Sequence, residues 1–333
     1  MSYNPILIVA GEPNSIFLEI FFKTLKKIKI KRPLILIASN KLVYLQMKKL
    51  KFKKKIKILN DREYLDSKLN NKSINLINVN YKTNEAFGKI SSKSNNYIKS
   101  CFDIAFEIIK KTNIDSLITG PISKKTFLNK KYLGITEYLS KKFQIRKSAM
   151  LIYNEKLSVC PLTTHLPLKF VSKKISKNLL VEKVRLLNDF YKKKFKIKPK
   201  IAVLGLNPHC ESIDKFNEDE KIVRPSIKHL QKKKYKVFGP FPADIIFLKG
   251  NANKFNVILG MYHDQVLTPM KALFEYDAIN ITLGLPFIRI SPDHGPNEKM
   301  LGKNISNPLS LIKAISFLEK YWLKQKKVWA KIS

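Results

Sequence analysis

The feature that most limits how this chain can fold is a recurring alternation. Short, unbroken apolar runs are each followed by a stretch with helical periodicity. The runs are "PILIVA" (5–10), "PLILIA" (33–38), "SLITGPI" (116–122), "SAMLIY" (148–153), "LSVCPL" (157–162), "KIAVLGL" (200–206), "NVILGM" (256–261) and "AINITLGL" (278–285). They lack the polar alternation of a strand with one wet face, so they suit strands covered on both sides. Residues 96–111, 176–193, 217–233 and 308–326 read as helices. The last places Leu309, Leu311, Ile312, Ile315, Leu318 and Trp322 roughly on one side. This alternation predicts an α/β protein, three-layer α/β/α with a mostly parallel sheet. A chain of 333 residues is long enough for two lobes around a cleft. No repeat or low-complexity linker marks a boundary, so residues 1–333 read as a single two-lobed domain, with a change of lobe expected near residue 150.

The formal net charge is +39, which raises the question of a nucleic-acid partner. The lysines, however, are scattered along the whole chain. They accompany abundant Ile and Asn even in segments such as "KKLKFKKKIKIL" and "YKKKFKIKPK". That pattern fits compositional drift on a solvated surface better than a nucleic-acid footprint, although the charge can steer small anions. Cys101, Cys160 and Cys210 are far apart and form no CxxC pair, which fits a reducing compartment. "MSYNPILIVAGEP" has no basic leader. No run approaches the roughly 18 apolar residues of a membrane helix. A soluble cytoplasmic protein is expected.

In open α/β sheets, ligands bind beyond the carboxyl ends of the strands. "SVCPLTTHLP" puts His165 past one predicted strand, "AVLGLNPH" puts His209 past another, and "VILGMYH" puts His263 past a third. Any one of these is ordinarily a capped loop residue. Three at equivalent positions form a set that could hold Zn2+, Co2+ or Mn2+ and leave positions open for substrate. Lys271, Asn280 and Arg289 lie close by in sequence, and the cations suit anionic groups. Asp244 and Asp264 are the candidate carboxylates for acid–base work or for orienting a ligand; Asp244 could equally cap a helix. The chain contains no GxG, no Walker A and no GxSxG, so the usual dinucleotide fingerprint is missing.

Six segments occur together and in order: "LITGPISK" (117–124), "TTHLPL" (163–168), "GLNPH" (205–209), "GPFPAD" (239–244), "MYHDQ" (261–265) and "NITLGLPFIRISPDHG" (280–295). With "VAGEPNSI" (9–16), they make the chain resemble the 4-hydroxythreonine-4-phosphate dehydrogenases of pyridoxal phosphate biosynthesis. The resemblance spans nearly the whole sequence. It implies an isocitrate/isopropylmalate dehydrogenase-like fold and a homodimer with the metal site at the subunit interface. It implies a divalent metal (Zn, Co, Mn or Mg) on His165, His209 and His263, and substrate contacts at Thr136, Lys271, Asn280 and Arg289. It implies oxidation of 4-phosphooxy-threonine at C3 by NAD or NADP, then loss of CO2 to give 3-amino-2-oxopropyl phosphate. In such a reaction Asp244, Asp264 and Lys271 are the catalytic candidates. "HGPNEKMLGKNISNP" (294–308) is similar to the segment that lines the adenosine end of the cofactor in the isocitrate and isopropylmalate enzymes. That makes His294, Gly295 and Asn307 cofactor candidates.

Departures from the family pattern leave other readings open. Ile135 in "GITE" stands where the family usually has a substrate-contacting histidine, and it cannot hydrogen-bond. A related substrate, 4-phospho-threonate or 4-phospho-erythronate, therefore stays in play. So do a basic binding protein on a retired enzyme scaffold and a metal hydrolase.

Overall fold

The computed structural model describes residues 4–60, 63–66, 68–129, 131–132, 134–213 and 216–329. All eight apolar runs form strands. In chain order the strands are β1 (Ile6–Val9), β2 (Leu34–Ala38), β3 (Ile56–Ile58), β4 (Ile74–Asn78), β5 (Ser116–Thr119), β6 (Ala149–Tyr153), β7 (Ser158–Pro161), β8 (Ile201–Leu204), β9 (Val237–Phe241), β10 (Val257–Gly260), β11 (Ile279–Leu283) and β12 (Ile288–Pro292). The predicted helices are present over Asn95–Lys111, Lys177–Phe195, Arg224–Lys232 and Leu309–Trp329, the third preceded by a wide turn over Asp219–Val223. The chain divides into two compact units, Met1–Ile135 with Pro286–Ser333, and Thr136–Leu285.

In the first unit the strand order is β3-β4-β2-β1-β5-β12, and every neighbouring pair is parallel. β1, β2 and β5 are wholly buried, as unbroken Ile, Leu and Val runs require of strands with both faces covered. β2 lies on one side of β1 and β5 on the other, so the order reverses direction at β1/β5. The loops leaving these two strands touch. Glu12 N donates to Pro121 O at 2.8 Å. A Cβ on Gly120 would stand 2.1 Å from Ala10 O, so only glycine fits there. At the other end of these strands Arg32, 1 % exposed, donates to Asn4 O, Pro5 O, Leu318 O and Ser116 Oγ. One guanidinium thereby ties together the starts of several strands and the last helix.

In the second unit the order is β11-β6-β7-β10-β8-β9. β7, β10, β8 and β9 run parallel, whereas β6 is antiparallel to both β7 and β11. A short turn causes the reversal. Asn154 N donates to Leu157 O and Asn154 Oδ1 accepts from Lys156 N, leaving no room for the crossover that parallel pairing needs. The core under β7, β8 and β10 includes Val159, Leu204, Ile258, Val266 and Met270.

Candidate functional site

β7, β10 and β8 are parallel neighbours, so the loops that follow them leave from one edge of the second unit. His165 sits in the loop after β7, His263 opens the helix His263–Phe274 after β10, and His209 lies in the single turn Pro208–Cys210 after β8. The His165 and His263 rings have centroids 5.6 Å apart, tilted by 38°. Two imidazoles that each ligate one ion at about 2.1 Å with a tetrahedral angle have centroids about 5 Å apart. The pair therefore fits a shared cation. His263 Nδ1 donates to Asp264 Oδ1 at 2.6 Å. A carboxylate on one ring nitrogen fixes the tautomer and leaves Nε2 as the donor atom, the usual second layer of a histidine–metal site. Asp264 is thereby placed against the ring of a candidate metal ligand.

His209 is exposed and has a left-handed backbone, φ 54°. Its turn is held by a residue that the sequence does not single out. Asp219 is fully buried, and its carboxylate accepts from Leu206 N at 2.8 Å and from Asn207 N at 3.0 Å. Cys210 packs under the same turn. Burial pushes its thiol pKa up, with Asp219 adding to the effect, as suits a small buried thiol. Among the described residues, no three His, Cys, Asp or Glu side chains stand close enough to hold a metal ion. The chain brings His165 and His263 together and does not add His209 to them. A second carboxylate without a sequence signal is Glu137. Its Oε1 accepts from Thr164 Oγ1 at 3.1 Å, one residue from His165, and its Oε2 is buried with no hydrogen-bond partner.

The other candidates are spread over both units. Thr136 is buried, its Oγ1 3.5 Å from Thr282 Oγ1 on β11. Asn280, also on β11, has a buried Oδ1 with no hydrogen-bond partner. Lys271 is exposed on the helix begun by His263. Asp244 is exposed inside the one-turn helix Ala243–Ile246, whose cap position is Pro242; the capping role is therefore not the one it plays. In the first unit Arg289 on β12 is 1 % exposed and donates from Nε and Nη2 to Thr119 Oγ1, at 3.0 and 2.6 Å. Burial pulls its pKa down to about 9.

His294 Nδ1 contacts Gly295 O at 3.0 Å, and its ring stacks on Phe17 at 6.4 Å. Gly295 has open space where a Cβ would stand. Asn307 Oδ1 accepts from Leu309 N, the first residue of the final helix. The helix Phe17–Lys27 fastens this segment, because Glu19 Oε1 accepts from Ser306 N and Lys23 Nζ donates to Asn304 O and Ser306 O.

Residues 29–318 match the family described as pyridoxal phosphate biosynthetic protein PdxA. The chain belongs to this family. It is 37 % identical over 318 residues to the 4-hydroxythreonine-4-phosphate dehydrogenase of Sulfurihydrogenibium sp. (strain YO3AOP1), covering 93 % of this chain and 96 % of that protein. It is 34 % identical over 211 residues to the D-threonate 4-phosphate dehydrogenase of Salmonella typhimurium (strain LT2), covering 62 % of this chain and 64 % of that one. The crystal structure of the 4-hydroxythreonine-4-phosphate dehydrogenase from Klebsiella pneumoniae superposes with a TM-score of 0.83 at 25 % identity, covering 96 % of this chain and 99 % of that one. A likeness in fold alone extends to isocitrate dehydrogenase from Methylococcus capsulatus, with a TM-score of 0.51 at 10 % identity and 95 % and 85 % coverage. This PdxA-family protein is an oxidoreductase of the dehydrogenase type, and a nicotinamide cofactor goes with that chemistry. Among the described residues, no helix is long and apolar enough to cross a membrane.

Proposed function

We propose that this protein oxidises 4-phosphooxy-L-threonine at C3 with NAD or NADP, and that the product loses CO2 to give 3-amino-2-oxopropyl phosphate. The divalent metal is held by His165 and His263 of one subunit and His209 of the partner subunit in a homodimer. The observation that carries this reading is the His165–His263 pair, ready for one cation, in a PdxA-family chain that places no third ligand beside it among the described residues. Large exposed apolar side chains follow each histidine along the chain and support a second copy: Leu168 and Phe170, Ile213 and Phe216, Leu273 and Tyr276. Three free, buried cysteines suit the cytoplasm.

When bound, the ion supplies Lewis acidity at the substrate hydroxyl and at the carbonyl that replaces it. The chain's own residues bind and orient. Asp264 holds the His263 ring in one tautomer. Arg289, buried and pinned by Thr119, offers a fixed guanidinium to an anionic group of the substrate. Lys271, exposed on the helix His263–Phe274, offers a second cation. Asn280 Oδ1 is free to accept from a substrate N–H or O–H, and Thr136 supplies a hydroxyl beside it on the Thr282 side of β11.

The test is NADH formation from 4-phosphooxy-threonine, with and without chelator. Turnover that is abolished by chelation and restored by a divalent ion is expected; full activity in chelator ends the metal reading. A second substrate, 4-phospho-D-threonate, is favoured by one observation. Ile135, at the start of the helix Ile135–Lys142 and next to Thr136, offers no polar group. Ile135→His is expected to lower the KM for 4-phosphooxy-threonine. If 4-phospho-D-threonate is the better substrate of the unaltered protein, the second reading replaces the first.

A further inference from the structure

In a sheet wound outward from β1 and β5, the usual phosphate cradle is the turn after β1, at the start of the next helix. In this chain that turn is closed to anions. Four of its amides are already used: Glu12 N donates to Pro121 O, Asn14 N to Glu12 Oε1, Ile16 N to Pro296 O and Phe17 N to Ser15 Oγ. A buried carboxylate, Glu12, also sits there, 1 % exposed. Asn14 stands where a glycine would let a phosphate reach the backbone. Its side chain is committed as well, accepting from Gly88 N at 2.8 Å and donating to Lys89 O at 3.0 Å.

Those two bonds shape something else. They hold the segment after β4 open as one wall of a cavity of about 800 Å³, lined by Asn14, Tyr81, Lys82, Lys89, Lys93 and Tyr97 among others. The volume falls in the range of about 300–1,000 Å³ usual for small-ligand sites. The lining carries three exposed lysines and a single exposed acid, Glu85. Tyr97 is buried and accepts from Ser39 N, and the Tyr81 ring lies 4.9 Å from it, which gives the floor a rigid aromatic edge. Phe87, which precedes the lining residue Gly88, stands 3.1 Å from where a Cβ on Gly302 would be, so the segment that walls the cavity also packs on the cofactor-candidate segment 294–308.

We propose that this cavity beyond β4, rather than the turn after β1, receives the pyrophosphate of the nicotinamide cofactor, with Lys82, Lys89 and Lys93 supplying the charge. The proposal rests on the reading of the chain as a nicotinamide-dependent dehydrogenase and adds where the cofactor's phosphates bind. Cations placed around a diphosphate form charge-assisted hydrogen bonds, and none of these residues belongs to a glycine-rich fingerprint.

The experiment is an NADH fluorescence titration of the full-length protein, with Lys82→Ala/Lys93→Ala and Lys89→Ala as variants and Lys53→Ala/Lys55→Ala as a charge-matched control. The Kd for NADH and the KM for NAD are expected to rise by about tenfold or more in the cavity variants. The control and the KM for the phosphorylated substrate are expected to stay unchanged. NADH affinity like that of the unaltered protein, or a rise confined to the KM for the phosphorylated substrate, overturns the assignment; the second result gives the cavity to the substrate's phosphate instead. Failure of the unaltered protein to bind NADH or reduce NAD overturns the dehydrogenase reading as well.

Discussion

The carboxyl edges of the two units are finished in opposite ways. In the first unit the loops after β1 and β5 close on themselves. The turn after β1 spends its amides internally, Gly120 fits against Ala10, and Arg289 is sealed onto Thr119. In the second unit the edge is left open. His209 is exposed on a left-handed turn, and Ile213, Phe216, Leu168 and Phe170 lie in the loops beside the histidines without cover. A closed edge needs no second chain to finish it. An open one is the form expected of a site that a second subunit completes.

Four experiments put this contrast at risk. The largest effect is expected from His263→Ala, which should lower turnover by about a thousandfold or more with the fold intact by circular dichroism; near-normal turnover would remove the second unit's claim to the chemistry. Mixing inactive His209→Ala with inactive His263→Ala subunits is expected to restore about one quarter of normal activity. Half the dimers would then be mixed, with one of two sites intact in each. No recovery after confirmed subunit exchange would mean that the ligands come from one chain. Asp219→Ala removes the acceptor of two half-buried backbone amides, and should cost about 1–3 kcal/mol in denaturant unfolding while lowering activity.

The smallest effect belongs to Glu12→Gln in the closed edge. Burial raises the Glu12 pKa above its ordinary 4.5, so folding favours the protonated form. The ionised carboxyl then costs stability above its folded pKa and nothing below 4.5. Glu12→Gln should therefore raise Tm slightly at pH about 7 and leave it unchanged at pH about 4. Equal gains at both values would mean that the effect is packing rather than charge.

How much is legible in the sequence follows the same division. Strands buried on both faces announce themselves as apolar runs, and those runs are enough to place His165, His209 and His263 on one edge. β3, β4 and β9 escape such a reading because "IKI", "INLIN" and "VFGPF" are short, polar or interrupted by Gly and Pro. The antiparallel turn of β6 does carry a signal, the "YNEKLS" turn between two apolar runs. Asp219 and Glu137 have none. A single carboxylate that clamps a distant turn or contacts a threonine hydroxyl has no periodicity and no fixed spacing to its partners. The lobe change expected near residue 150 falls instead between Ile135 and Thr136, and the chain returns at Pro286; neither position has a compositional mark.

Arg32 and Arg289 are among the largest fully buried side chains of a protein whose other cations are nearly all lysine and mostly at the surface. A planar fork can serve several acceptors at once, where an ammonium delivers a point charge. The protein's positive charge is therefore of two separable kinds. Most of it is a coat that salt can screen or acetylation can neutralise with little consequence for the chain's shape. The Arg32 guanidinium, by contrast, belongs to the skeleton, and replacing it with lysine would conserve the electrical sum while removing a strut.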